Sequence, residues 1–181
     1  GDAGVVLHQQ DPGGGGGFDQ SRVAEQDTER YANCKTGADA AADEDCARIA
    51  VENSLYDFWA ATYPEATGGK EFVPATMQTF SGGVSTGCGQ ATSQVGPFYC
   101  PPDRGIYLDT SFFAQVLEGA LGGPSGAFVE PYVLAHEYGH HIQNLLGINR
   151  QVQEASSGAS DAEANSLSVK LELQADCFAG A

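Results

Sequence analysis

Leu134, Tyr138, Ile142 and Leu145 recur three or four residues apart, the spacing of one face of an α-helix. Pro131 suits the first turn of that helix, where its preset φ helps and its missing amide costs nothing, and Gly147 supplies a C-terminal stop. A second stripe, Leu167, Leu171, Ala175 and Phe178, follows Ser160 and Glu163, a pair that makes a capping box and marks a helix start. Residues 44–62 place Ile49, Leu55, Tyr56 and Trp59 on one helical face before Pro64 ends it, with Trp59 assigned to the core. Residues 111–121 read as a further helix, packed through Phe112, Phe113, Val116 and Leu117. Short strands are predicted over 72–80, 94–99 and 105–109, the first two weakened by Pro74 and Pro97. Residues 1–20 have no period, and Pro12 with the glycines at 13–17 reads as a flexible tether. No internal repeat is visible. The remaining residues, 21–181, read as one α+β domain with a small, mostly antiparallel sheet packed on helices.

The first helix carries chemistry. His136 and His140 lie four residues apart, one turn apart on one face, so both imidazoles can reach one metal ion. Glu137 lies about 100° further round the axis. It does not share the ligand direction, but it can reach a water in an open coordination position, as a metal-assisted hydrolase requires. Three of the four histidines in the chain are His136, His140 and His141; His8 stands alone in the tether. Gly139 inside this helix costs about 1 kcal/mol relative to Ala, which implies a close approach by another backbone or a substrate.

A catalytic zinc site usually needs a third protein ligand. Glu172 and Asp176 lie four apart on the second helix, off its apolar stripe. Like charges at that spacing repel by a few tenths of a kcal/mol, roughly. A metal on one and an imidazole N–H on the other reverse the penalty, so Glu172 is assigned as third ligand and Asp176 as the acceptor that orients His136. A solvated acidic face is the competing reading of this pair.

These runs, His-Glu-Tyr-Gly-His-His-Ile-Gln-Asn-Leu-Leu-Gly and Leu-Glu-Leu-Gln-Ala-Asp-Cys, resemble the bacterial neutral zinc metallopeptidase family, gluzincin-type proteins in which two helices supply His, His and Glu. Gly87-Cys88-Gly89, the run from Val95 through Pro101, the segment Tyr107-Leu108-Asp109, and Cys34 with its following residues up to Cys46 are similar as well, so the resemblance covers roughly residues 30 to 181. It implies a zincin-like fold, one zinc ion held by His136, His140 and Glu172, and Glu137 as general base. Family members typically begin with a membrane-spanning helix and continue beyond the position of Ala181 with further helical sequence that includes a His-Gly segment. The resemblance therefore implies an upstream membrane tether in a full-length protein and a domain that is short at its C-terminal side.

Composition narrows the setting. A hydrophobic content of 41% argues against disorder throughout. A formal charge of −16, with eight Lys plus Arg, leaves no basic surface for nucleic acid and repels anionic lipid. No apolar run is long enough to span a membrane, and no signal peptide is recognisable. The acidic residues show no calcium-loop spacing.

Cys34 with Cys46, and Cys88 with Cys100, are spaced to close loops poor in apolar residues, each bridge stabilising by about 2–4 kcal/mol. Four cysteines allow three pairings, and the spacing within each pair fits no zinc ribbon. Two bridges imply an oxidising compartment, hence an extracytoplasmic domain, secreted or tethered to the cell surface. Cys177, left over, is expected to be a buried thiol.

The expected activity is hydrolysis of peptide bonds in a peptide or protein substrate. Zinc peptidases commonly hold extended substrate on an edge strand, and Ile106, Tyr107 and Leu108 are the candidate edge, an internal strand being the alternative. Tyr138 and His141 point away from the His136/His140 face, which leaves the oxyanion-stabilising group unassigned. Two other functions fit the same residues: a zinc-stabilised module that binds peptides without cutting them, and a zinc amidase acting on cell-wall peptides.

Overall fold

Asp43 begins a 24-residue helix by accepting the Cys46 amide on its side chain at 3.0 Å, with Glu44 and Asp45 in the first turn. The computed structural model describes residues 17–113 and 126–181, the side chains of 126–128 excepted. The chain divides between Pro74 and Ala75 into two compact units.

The first unit is helical: α1 (Thr28–Tyr31), α2 (Gly37–Ala42) and α3 (Glu44–Thr67). Cys34 and Cys46 are bonded, tying the segment before α2 to the first turn of α3. Tyr31, Ile49, Trp59 and Tyr63 are buried, while Leu55 and Tyr56 are only half-buried. Pro64 does not end α3. The helix runs to Thr67 and stops at Gly68, where φ is 71° and the amides of Gly68 and Gly69 both reach the Pro64 carbonyl. A left-handed glycine is the stronger stop, because Pro removes one amide bond without forcing the chain to turn.

One face of α3 carries an ion pair in the core. Glu52 accepts from Arg22 Nε at 2.7 Å and from Nη2 at 3.0 Å, and both side chains are nearly inaccessible. The guanidinium also donates to Asp19 at 2.6 Å and lies 3.8 Å from the centre of the Tyr56 ring. Burial pushes the Glu52 carboxyl up, and Arg22 works against that shift. The main chain of Asp19 donates to Asn53 at 2.7 Å, so the end of the glycine-rich segment is bonded to α3. Residues 1–16 of the expected tether lie outside the described residues.

The second unit contains β1 (Thr76–Phe80), β2 (Gly83–Thr86), β3 (Gly89–Thr92), β4 (Phe98–Cys100) and β5 (Gly105–Asp109). It also holds α4 (Gly126–Leu145), α5 (Ile148–Ser156) and α6 (Asp161–Ala179). Small sheets and several helices make the described chain an α+β structure. The three-stranded sheet has the order β1-β5-β4, with β1 parallel and β4 antiparallel to β5, and β2 and β3 form a separate hairpin. The sheet is therefore mixed rather than mostly antiparallel, because the hairpin and β4 occupy the connection between two parallel strands.

This order corrects the expected edge. Ile106, Tyr107 and Leu108 lie in the central strand, paired on both sides, with every residue of β5 buried. The strand expected over 72–80 begins only at Thr76, beyond Pro74, which has no amide for a ladder. The one expected over 94–99 splits into a 3-10 turn (Ser93–Val95) and β4, because Gly96 adopts a φ of 72° ahead of Pro97. The β2–β3 hairpin was not foreseen. Its run of Gly, Ser and Thr carries little apolar signal, and it is held instead by the Cys88–Cys100 bridge and by Asp103, which accepts from Gly87 at 2.7 Å. A helical turn occupies residues 110–113, and the rest of the helix expected to 121 lies outside the described residues.

α4 starts five residues before Pro131, so that proline is not in the first turn. Leu134, Tyr138 and Ile142 are buried as the stripe required, and Gly147, at φ 77°, closes α4 and opens α5. α4 packs on α6 and against β4 and β5. The capping box of Ser160 and Glu163 starts α6. A Cβ on Gly139 would stand 2.7 Å from the Ala175 carbonyl oxygen and 3.1 Å from its Cα, so this glycine lets the two helices touch backbone to backbone. Cys177 is an exposed free thiol, not a buried one, because α6 turns Ala175 inward and leaves its neighbour two residues on at the surface.

Candidate metal centre

The close approach at Gly139 sets the candidate ligand side chains of α4 opposite those of α6. His136 Nε2 lies 3.0 Å from Glu172 Oε2, and His140 Nε2 lies 3.3 Å from the same oxygen. Suitable ligand atoms of the three residues all lie within 4.8 Å of one another. The two imidazole rings stand at 88°, centroids 4.7 Å apart.

The opposite ring nitrogens are both engaged. His136 Nδ1 meets Asp176 Oδ1 at 2.7 Å, and the same oxygen accepts from the Tyr132 hydroxyl at 2.6 Å. These two bonds, Tyr132 first, hold the Asp176 carboxyl below its usual range. His140 Nδ1 meets Gln143 Oε1 at 2.8 Å. The orientation of that amide is not free: Gln143 Nε2 donates to the Leu171 carbonyl at 2.7 Å and to Gln174 Oε1 at 3.1 Å, which leaves only its oxygen for the histidine. Both Nδ1 atoms therefore face an acceptor, and a neutral imidazole so held turns the lone pair of its Nε2 towards Glu172.

In that neutral form two imidazole nitrogens and a carboxylate oxygen converge, and a cation among them would offset their mutual repulsion. Neutral nitrogens and one carboxylate, each ring fixed from behind, are a donor set that suits zinc, and separations of 3.0 and 3.3 Å are close to the roughly 3.3 Å between ligands in a tetrahedral zinc shell. The residues present thus fit the ion.

Glu137 lies beside this cluster, buried, where it lines one cavity of about 440 Å³ with His136, His140, Glu172, Asn149 and the β4 segment. Burial pushes its carboxyl up to about 7; His140 opposes the shift and Glu172 adds to it. The Tyr99 main-chain N–H faces this carboxylate and favours its charged form. Pro97, Phe98, Pro101 and Leu171 complete the cavity wall. Tyr138 and His141 are fully buried on the other side of α4.

The structure thus brings together His136, His140, Glu172 and Asp176, with Glu137 alongside, and leaves Ile106, Tyr107 and Leu108 inside the sheet. Gln143 and Tyr132 escaped the sequence reading. A signal existed for both: Gln143 is three residues after His140 and Tyr132 four before His136, each on the ligand face of the helix. Cys34–Cys46 and Cys88–Cys100 are the two disulfides, and among the described residues no helix is long and apolar enough to cross a membrane.

Similar chains extend across these residues. An uncharacterized protein of Mycobacterium tuberculosis is 48% identical over 147 residues, which is 81% of this chain and 46% of the relative. One from Mycobacterium bovis matches to the same extent. The uncharacterized protein YpfJ of Escherichia coli K12 is 44% identical over 124 residues, 68% of this chain and 42% of that protein. The chain thus spans less than half the length of these curated relatives. No solved structure matches it. The family model described as "Putative neutral zinc metallopeptidase" matches residues 6–181, nearly the whole chain, and it is to this family that the chain belongs.

Proposed function

We propose that this chain carries the active site of a zinc-dependent peptidase, with a single zinc ion held by His136, His140 and Glu172. The observation that supports it most directly is the convergence of His136 Nε2, His140 Nε2 and Glu172 Oε2 beside the buried carboxylate of Glu137. Zinc, when bound, supplies a Lewis acid that polarises a carbonyl and lowers the pKa of water towards about 7. Glu137 accepts the proton of the attacking water on its carboxylate and passes it to the amide nitrogen of the departing segment. A carboxyl raised by burial holds that proton better at neutral pH than an exposed one. Asp176 and Gln143 hold the two imidazoles in the required tautomer, so no reorientation is needed during reaction.

The strand that replaces Ile106–Leu108 as substrate edge is β4. Among the described residues it pairs only with β5, and Phe98 and Tyr99 line the cavity. An extended peptide can add to its open side through main-chain bonds, with Pro97, Phe98, Pro101 and Leu171 as apolar walls. The substrate on this reading is an extended segment of a peptide or protein. The two disulfides favour an oxidising, extracytoplasmic setting.

The test combines zinc analysis with cleavage of a mixed peptide pool. Wild type is expected to hold about one zinc per chain, lost in His140→Ala, and to cleave peptides. Glu137→Gln is expected to keep zinc while turnover falls by about 10²–10⁴-fold. Cleavage retained in that variant sinks the assignment of the base. Peptide bound but never cut would favour a binding module, and cleavage of cell-wall fragments but not casein would favour an amidase.

A further inference from the structure

β4 is only three residues long and, among the described residues, pairs on one side alone, so that ladder by itself holds it weakly. Yet it forms a wall of the metal cavity. Two further attachments bear on it. Cys100 is bonded to Cys88 at the turn of the β2–β3 hairpin. Tyr99 reaches the opposite way, onto α4: its hydroxyl lies 2.8 Å from His141 Nδ1 and accepts from Asn144 Nδ2 at 2.9 Å. Asn144 Nδ2 also reaches the Pro101 carbonyl at 3.4 Å, and the Tyr99 and His141 rings meet edge to face, 5.4 Å apart.

His141 and Asn144 both meet the Tyr99 hydroxyl, and none of the three belongs to the cluster of His136, His140 and Glu172 that could hold a metal. Their geometry specifies register. Successive residues of a strand point to opposite faces, so slipping β4 by one residue would remove Tyr99 from both partners. We propose that Tyr99 is a positioning residue: its hydroxyl, held between His141 Nδ1 and Asn144 Nδ2, locks β4 onto α4 so that the Tyr99 peptide group stands beside Glu137 and the open strand edge faces the cavity. The kinetic consequence rests on the peptidase reading; the lock itself does not.

Tyr99→Phe removes the hydroxyl and keeps the ring, and Asn144→Leu removes the second partner. Each is compared with wild type as the zinc-loaded chain. Amide hydrogen exchange across Phe98–Cys100 is expected to accelerate about tenfold in both, while zinc affinity stays within about threefold. For peptide cleavage, kcat is expected to fall about 10–100-fold with a smaller change in KM, since a displaced base and edge act on the reacting geometry. If Tyr99→Phe does not fold, Asn144→Leu decides the outcome. Exchange at β4 unchanged in the folded variants overturns the proposal, as does a zinc affinity that falls in step with activity. If wild type cleaves no peptide, the peptidase reading fails while the exchange measurement still decides the lock.

Discussion

His136 and His140 are held by groups of different charge, a carboxylate behind the first and an amide behind the second. Gln143 is the more exacting partner, because it is fully buried and spends its donor on the main chain of α6. Gln143→Leu fills nearly the same volume but leaves the His140 Nδ1 proton without an acceptor. Zinc affinity is expected to weaken about 10–100-fold, measured by competition with a chelator. Glu137 sets a pH dependence of its own. Its folded carboxyl, raised to about 7 from the usual 4.5, means that the unfolded chain loses its proton first as pH rises. In the metal-free protein the contribution of this group to stability is therefore complete below about 4.5 and is lost by pH above 7. Glu137→Gln removes that loss, so the metal-free variant is expected to melt above wild type at pH 8 and level with it near pH 4. Melting curves at the two pH values check this, and an equal offset at both contradicts it.

Among the elements, the pair α4 and α6 depends on one missing side chain. Gly139→Ala puts a methyl group 2.7 Å from the Ala175 carbonyl oxygen, which is backbone and has no rotamer with which to move aside. The helices must separate, at a cost of about 1–3 kcal/mol. The same separation draws Glu172 away from both histidines, so zinc affinity is expected to drop together with the melting temperature. A variant that melts lower but binds zinc unchanged would show that the ligands are set by something other than this contact. The sequence signalled this glycine through its helix-interior position, whereas the partner it admits became visible only in the packed pair.

For the whole molecule, the charge balance conceals exceptions. Among the described residues Asp27, Glu52, Asp109 and Glu137 are buried acidic groups, and Glu52 is paired with Arg22. Replacing Arg22 with Met leaves a buried carboxylate without its counter-charge, and a loss of about 3–5 kcal/mol is expected in denaturant unfolding. Nothing in the local sequence announces a pair thirty residues apart. The helical parts of the candidate site were legible beforehand because they are local. The four-residue spacings of His136 with His140 and Glu172 with Asp176, the capping box of α6 and the glycine stop of α4 follow from helix geometry within one or two turns. The sequence by itself determined those faces; for the cysteines it offered a pairing among three, and the structure has Cys34–Cys46 and Cys88–Cys100. Tertiary structure alone decided that β5 is central and β4 the edge, that Arg22 is paired in the core, and that Tyr99 is joined to α4. Strand order, buried charge and cross-element bonds depend on which distant surfaces meet, and that is set by packing over the whole unit rather than by any run of neighbouring residues.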